Sequence, residues 1–194
     1  MEIRTAGVVG LGTMGAGIVE VFARAGLDVV AVEIDDALLA AGRKRLEGSL
    51  GKAVDRGKLD GAERDAILAR VTFTVDRADL ARADLVTEAV PERLDIKTAL
   101  FAELDEICPS HTVLATNTSS LPVTRVATAT HRPDRVVGMH FFNPAPVMRL
   151  VEVVHTVRTD GGVTAAVEAL ARTCGKTPVV VGDRAGFVVN ALLF

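Results

Sequence analysis

The sequence predicts an α/β fold: a doubly wound, mostly parallel sheet with helices on both faces and an antiparallel extension. Three observations carry that prediction. Short β-branched runs alternate with longer helical stretches, the pattern of successive βαβ units. Apolar residues make up 49% of the chain and its seven aromatics are all Phe, so the core falls to Val, Leu, Ala and Ile, as in a sheet buried on both faces. A glycine-rich turn separates the first apolar run from the first helical stretch. At roughly 100–200 residues per domain, 194 residues make one large domain with at most a small appendage.

Taken in order, the β-branched runs predict strands at Arg4–Val9, Asp28–Glu33, Val71–Val75, Leu85–Glu88, Thr112–Ala115, Arg135–Phe141, Arg149–His155 and Thr177–Val181. Helices are expected between them at Gly15–Ala25, Asp36–Gly57, Ala62–Arg70, Arg93–Ile107, Pro122–Ala127 and Val163–Thr173. The Asp36–Gly57 stretch carries Arg43, Lys44, Arg45, Lys52, Asp55 and Arg56. A helix polar over so much of its surface projects from the body or covers a ligand, so a projecting helical hairpin is expected at about residues 36–70. The two-proline connection Asn143–Met148 turns the chain back, which gives the sheet its antiparallel extension. Residues 1–185 are expected to form this domain. Residues 186–194, a buried-looking helix start ending in Leu-Leu-Phe, read as the beginning of a linking helix to a second, helical domain absent from this chain.

Several function classes are excluded early. With 22 basic and 25 acidic residues the net charge is −3, which argues against a nucleic-acid partner. The longest stretch free of acids, Lys and Arg, Ile107–Thr124, is broken by prolines, His111, Asn117 and hydroxyls, and there is no run of about 18 apolar residues to cross a bilayer. The N-terminus enters an apolar strand and is not a signal peptide. Cys108 and Cys174 lie far apart with no CxxC, which reads as two buried thiols in a reducing, cytoplasmic setting. His111, His131 and His155 are surface or strand-end residues, and no metal-ligand spacing occurs.

The strongest motif is Gly10-Leu11-Gly12-Thr13-Met14-Gly15, placed between a strand and a helix, with Glu33 closing the next strand. That is the full context of a dinucleotide-binding fingerprint and makes the fold Rossmann-type. Gly10 permits a tight turn, Gly12 lets the backbone approach a pyrophosphate, and Gly15 lets the helix pack close, aiming its N-terminal amides at the anion. Glu33 is suited to accept hydrogen bonds from the adenosine ribose and to repel a 2′-phosphate, which favours NAD over NADP.

Two polar residues interrupt apolar strands. His140 lies at the carboxyl end of Val136–Phe142 and Glu152 within Leu150–Val154. A buried carboxylate neutralises or finds a partner, and folding at the two-proline turn brings Glu152 beside His140, where it fixes the imidazole tautomer as in a base–orienter pair. On pairing alone a structural ion pair serves as well; position at the carboxyl end of a strand, where open α/β sheets bind ligands, favours catalysis. Asn117-Thr118-Ser119-Ser120 follows another strand. One hydroxyl there is expected to cap the next helix, with Pro122 in its first turn, while another faces the cofactor. Asn190 sits in an apolar run, where a backbone-bonded Asn and a ligand role fit equally.

With Asn117–Leu121, His140-Phe-Phe-Asn-Pro144, Leu150–Val153 and Gly186–Asn190 following the fingerprint in order, the whole chain resembles the 3-hydroxyacyl-CoA dehydrogenase family, in its 3-hydroxybutyryl-CoA branch. The resemblance implies that His140 is the general base for the substrate 3-hydroxyl, that Glu152 steadies the imidazolium, and that hydride passes from C3 to NAD. It implies that Ser119 and Asn190 hold the substrate oxygens, and that Glu92, Lys97, Ser119 and Asn143 contact NAD beside the glycine loop. Ser49 on the polar helix matches a coenzyme A contact, with Lys52 and Arg56 as nearby phosphate partners. It further implies a homodimer formed through the absent helical domain, and slow turnover without it. Ala191 departs from the Arg often found after the family's Asn. A non-catalytic NAD-binding member of the same fold is the alternative, against which the intact His140, Glu152, Ser119 and Asn190 set speaks. A dehydrogenase of free 3-hydroxy acids would carry a catalytic Lys in the linking helix, and no Lys follows Lys176.

Overall fold

The computed structural model describes residues 1–187. Its eight strands are β1 (Thr5–Val9), β2 (Asp28–Val32), β3 (Val71–Thr74), β4 (Leu85–Glu88), β5 (Val113–Thr116), β6 (Val136–Phe141), β7 (Leu150–His155) and β8 (Thr177–Gly182). They form one sheet in the order β3-β2-β1-β4-β5-β6-β7-β8. The first six are mutually parallel, β7 runs antiparallel to β6, and β8 runs parallel to β7. The 3-2-1-4-5-6 order is the doubly wound Rossmann arrangement, with its ligand crevice at the carboxyl ends where the order reverses between β1 and β4. The expected fold, including the antiparallel extension, is the fold observed.

Among the described residues six α-helices cover the sheet: α1 (Thr13–Arg24), α2 (Asp36–Asp55), α3 (Gly61–Ala69), α4 (Leu94–Ile107), α5 (Val123–Ala127) and α6 (Gly161–Thr173). Two apolar layers result. On one face Ile18, Val19 and Phe22 of α1 and Val163 and Val167 of α6 pack with Ala6, Val8 and Met139. On the other, Leu100, Phe101 and Leu104 of α4 and Val123 and Val126 of α5 pack with Val86, Leu114 and Val136. Short 3-10 turns at Arg77–Arg82 and Pro133–Arg135 went unanticipated because so few residues show no periodicity.

Three features add to or correct these expectations. First, α2 is anchored to the body through Gly42, Leu46 and Leu50, buried along one face, and is otherwise largely exposed. A Cβ at Gly42 would lie 2.3 Å from the Leu11 Cβ, so a bare glycine lets this polar helix lie across the glycine loop. Second, no hydroxyl of the 117–120 cluster caps α5. Asp183, at the end of β8, does so, accepting from the Val123 amide at 3.1 Å and from the Thr124 amide at 2.7 Å. Pro122 stands at the N-cap, ahead of the first turn. Third, Cys108 is buried but Cys174 is only half-buried, because it caps α6 at the sheet's margin. Desolvation pushes the Cys108 thiol up to about 11 and the Cys174 thiol up to about 12, leaving both protonated at neutral pH.

Candidate active site

The three glycines of the first turn meet three different steric demands. Gly10 has φ of +88°, in the left-handed region that a side chain disfavours. A Cβ on Gly15 would lie 1.7 Å from the Gly10 carbonyl oxygen, so nothing larger fits beneath the turn. Gly12 faces open space, with no heavy atom within 4 Å of where a Cβ would be. As the N-cap of α1, Gly12 supplies no capping oxygen, so the first amides of this 12-residue helix are left to an external acceptor. This is the donor set of a pyrophosphate cradle.

A cavity of about 760 Å³ opens beside the turn, lined by Gly10, Gly12, Glu33, Ile34, Leu38 and Val90 among others. Its walls are mainly apolar, with the exposed Ile34, just ahead of α2, and Leu38, in the first turn of α2, among them. Glu33 lies at its rim, where Oε1 accepts from the Leu11 amide at 2.5 Å and Oε2 from the Ile34 amide at 3.1 Å. The carboxylate therefore braces the glycine turn while retaining lone pairs for hydroxyl donors.

On the other side of α1, a second cavity of about 470 Å³ lies between α1, α2 and the β6–β7 turn. Thr13, Lys44, Arg45, Ser49, Lys52 and Asn143 all line it. Ser49 and Lys52 also line an adjoining cavity of about 330 Å³ that contains Arg56 and Lys58. The expected coenzyme contacts thus share one basic trough. Lys44 and Arg45 belong to it too, although the sequence reading attached them only to a polar helix.

The hairpin β6–β7 brings the expected His140 and Glu152 together. His140 and Glu152 are direct cross-strand neighbours, so their side chains project from one face of the sheet. His140 Nδ1 lies 2.7 Å from Glu152 Oε2, with the two side chains 6% and 1% exposed. Phe142 and Phe187 flank the imidazole, with ring centroids 4.5 and 5.9 Å from it. With Nδ1–H donating to the carboxylate, the ring's basic atom is Nε2. Asn143, in the turn between β6 and β7 and joined to Pro144 by a cis bond, lines the basic trough.

A polar network joins the carboxyl ends of β4 and β5 to the 117–120 loop. Glu88 closes β4, fully buried; Lys97 Nζ donates to its two oxygens at 2.7 and 2.9 Å and lies 3.2 Å from Glu92 Oε2. Thr116 donates to Glu88 and Thr118 to Glu92 through short hydroxyl bonds. The Ser119 amide donates to Glu92 at 2.9 Å, and Asn117 Oδ1 accepts from the Phe141 amide at 2.8 Å. Desolvation pushes the Glu92 carboxyl up, but the Thr118 hydroxyl, the Lys97 ammonium and the Ser119 amide outweigh it and hold it below the usual carboxylate range. Lys97 is completely enclosed in this network, so its line to the cleft runs through Glu92. Sequence reasoning missed Glu88; a carboxylate ending an apolar strand, nine residues before a lysine, was its available signal.

Asn190 lies outside the described residues. Asp105, Glu106 and His131 bring oxygen and nitrogen atoms within 4.8 Å of one another. The Arg132 guanidinium, 2.5 Å from Asp105, already neutralises that carboxylate, so the cluster is built as an ion-paired helix end. Among the described residues no helix is long and apolar enough to cross a membrane.

Comparison with known proteins agrees with this geometry. The family described as 3-hydroxyacyl-CoA dehydrogenase, NAD binding domain, matches residues 5–184. A 3-hydroxybutyryl-CoA dehydrogenase of Mycobacterium tuberculosis is 51% identical over 193 residues, covering 98% of this chain and 68% of the relative. A probable 3-hydroxybutyryl-CoA dehydrogenase of Bacillus subtilis is 44% identical, covering 100% of this chain and 67% of the relative. The crystal structure of an (S)-3-hydroxybutyryl-CoA dehydrogenase from Ralstonia eutropha superposes with a TM-score of 0.97 at 43% identity, covering 99% of this chain and 68% of that one. The chain therefore spans about two thirds of the length of these relatives. An uncapped helix behind a glycine turn, an acid closing β2 and a family match over nearly every described residue converge: this chain belongs to the 3-hydroxyacyl-CoA dehydrogenase family and carries its NAD-binding domain.

Proposed function

We propose that the chain performs the chemistry of an NAD-dependent 3-hydroxyacyl-CoA dehydrogenase acting on a short acyl chain, with His140 as general base and Glu152 as its orienting partner. The observation that carries the reading is the 2.7 Å contact between these two side chains in a nearly dry hairpin at the carboxyl end of β6. Outside a binding cleft, a buried pair of this kind gains little over an apolar pair.

The glycine turn from Gly10 to Gly15, including the Leu11, Thr13 and Met14 backbone, holds the pyrophosphate, and Glu33 takes the adenosine ribose hydroxyls. When bound, NAD supplies the acceptor for the hydride that leaves C3. His140 Nε2 takes the proton of the 3-hydroxyl as the C–H bond breaks, and Glu152 holds the resulting imidazolium in place, so that a 3-oxoacyl thioester is left. Glu92, with Lys97 behind it, fixes the loop that presents Ser119, and Asn143 borders the same space. Ser119 and, by resemblance, Asn190 hold the reacting oxygens. Ser49, Lys52 and Arg56 take the coenzyme A portion.

The test follows NADH absorbance with acetoacetyl-CoA and, separately, with acetoacetate. Oxidation only with the thioester is expected. Equal rates with acetoacetate overturn the substrate class, and NADH binding without turnover of either compound favours a non-catalytic member of the fold.

A further inference from the structure

The glycine turn borders two cavities. Gly10 and Gly12 line the 760 Å³ cavity together with Glu33, and Thr13 lines the 470 Å³ trough together with Arg45. Helix α2 crosses the turn at Gly42, where a Cβ would come within 3.1 Å of the Leu11 carbonyl oxygen. Three residues further along, Arg45 is exposed, and its Nη1 donates to that same oxygen at 3.2 Å. The Leu11 amide is held by Glu33. Two successive peptides of the turn are thus gripped by side chains, one from Glu33 and one from Arg45.

The second grip bears on cofactor binding. A trans peptide is planar, so fixing the Leu11 carbonyl also fixes the direction of the Gly12 N–H on its far side. A hydrogen bond accepted at the oxygen makes that N–H a stronger donor as well. Arg45 has donors to spare: a guanidinium carries five N–H groups, and the bond to Leu11 is its one hydrogen bond among the described residues. The single acid that lines the trough, Glu20, is paired with Arg24, so the counter-charge for Lys44, Arg45 and Lys52 falls to a ligand. An exposed arginine loses rotamer freedom when a ligand immobilises it. Whichever ligand binds first meets that cost, and the second finds the guanidinium already set.

We propose that Arg45 is a positioning residue that couples the two cavities: its guanidinium holds the Leu11–Gly12 peptide from the trough side, so that an anionic coenzyme bound in the trough tightens NAD at the turn. The proposal rests on the reading that this trough receives the coenzyme A part of the substrate. Two polyanions on either side of one glycine turn would otherwise repel each other, and Arg45 sets a positive charge between them.

NADH affinity, read by fluorescence titration of the chain with and without saturating coenzyme A, tests this. Coenzyme A should tighten NADH about fivefold, and NADH should tighten coenzyme A by the same factor in calorimetry. Arg45→Met, which removes the donors from an exposed side chain, should weaken NADH alone about threefold and abolish the coupling. Coenzyme A that binds without changing NADH affinity, or coupling that survives Arg45→Met, overturns the role of Arg45 and leaves the trough assignment standing. Failure of the unsubstituted chain to bind coenzyme A while it binds NADH overturns the trough assignment, and the proposal falls with it. Should Arg45→Met fail to fold, Arg45→Lys is the second variant. It keeps the charge but lacks the planar fork that spans two acceptors. The coupling is expected to vanish there too, and full coupling refutes the proposal.

Discussion

The β1–α1 turn and the β6–β7 hairpin both end at the ligand crevice, and they are built on opposite terms. The turn works by what it lacks. Gly12 offers bare backbone and an uncapped helix, and Gly15 leaves room for the Gly10 carbonyl. The hairpin works by what it adds, two ionisable side chains set opposite each other in an apolar ladder. A site of backbone amides tolerates no added atom, whereas a site of paired side chains tolerates no missing one. Binding and chemistry should therefore fail separately.

Substitution of the proposed base provides the largest separation. His140→Gln should lower kcat by about 10³-fold, about 4 kcal/mol of transition-state stabilisation, while NADH affinity by fluorescence titration stays within about twofold. A parallel collapse of NADH binding would make His140 a structural residue and erase the contrast. Gly15→Ala is the converse experiment. Its Cβ meets the Gly10 oxygen at 1.7 Å, so the turn must open, and NADH affinity should fall about 100-fold with a lower Tm. Retained NADH affinity in that variant would show that the cradle does not depend on close packing.

The smallest effect concerns Glu92, which stands between the two regions. Its carboxyl is held below the usual range in the folded chain. The support it gives the 118–120 loop is therefore complete above the ordinary carboxylate pKa of about 4.3 and is lost as pH falls through its own lower value. NADH affinity should be level from pH 7 to about 5 and decline by a few-fold below about 4. Glu92→Gln should remove that decline; an identical decline in the variant would assign it to other carboxylates.

The difference between the two regions also explains what could be read from the chain. Glycine spacing is a property of sequence, so the turn, β1, α1 and Glu33 were legible directly, as was the sheet from its β-branched runs. The His140–Glu152 pair was legible because each interrupts an apolar strand and two prolines fix where the chain turns back. What escaped involves partners distant in sequence. The Asp183 cap on α5 reaches back 59 and 60 residues, a link no local pattern encodes. Glu88 shows only as an acid at the end of a strand until Lys97 and Thr116 are seen around it. How α2 is anchored was not legible because its composition is polar, while its packing depends on Gly42, Leu46 and Leu50.

Lys176 sits at the entrance to β8 and fastens the two-proline turn at its middle and its end, through the Ala145 and Met148 carbonyls. Burial lowers its pKa, so part of the cost of this clasp is electrostatic. The clasp means that imidazole and carboxylate are not spaced by their own two strands alone. A third strand bolts the bend that joins them.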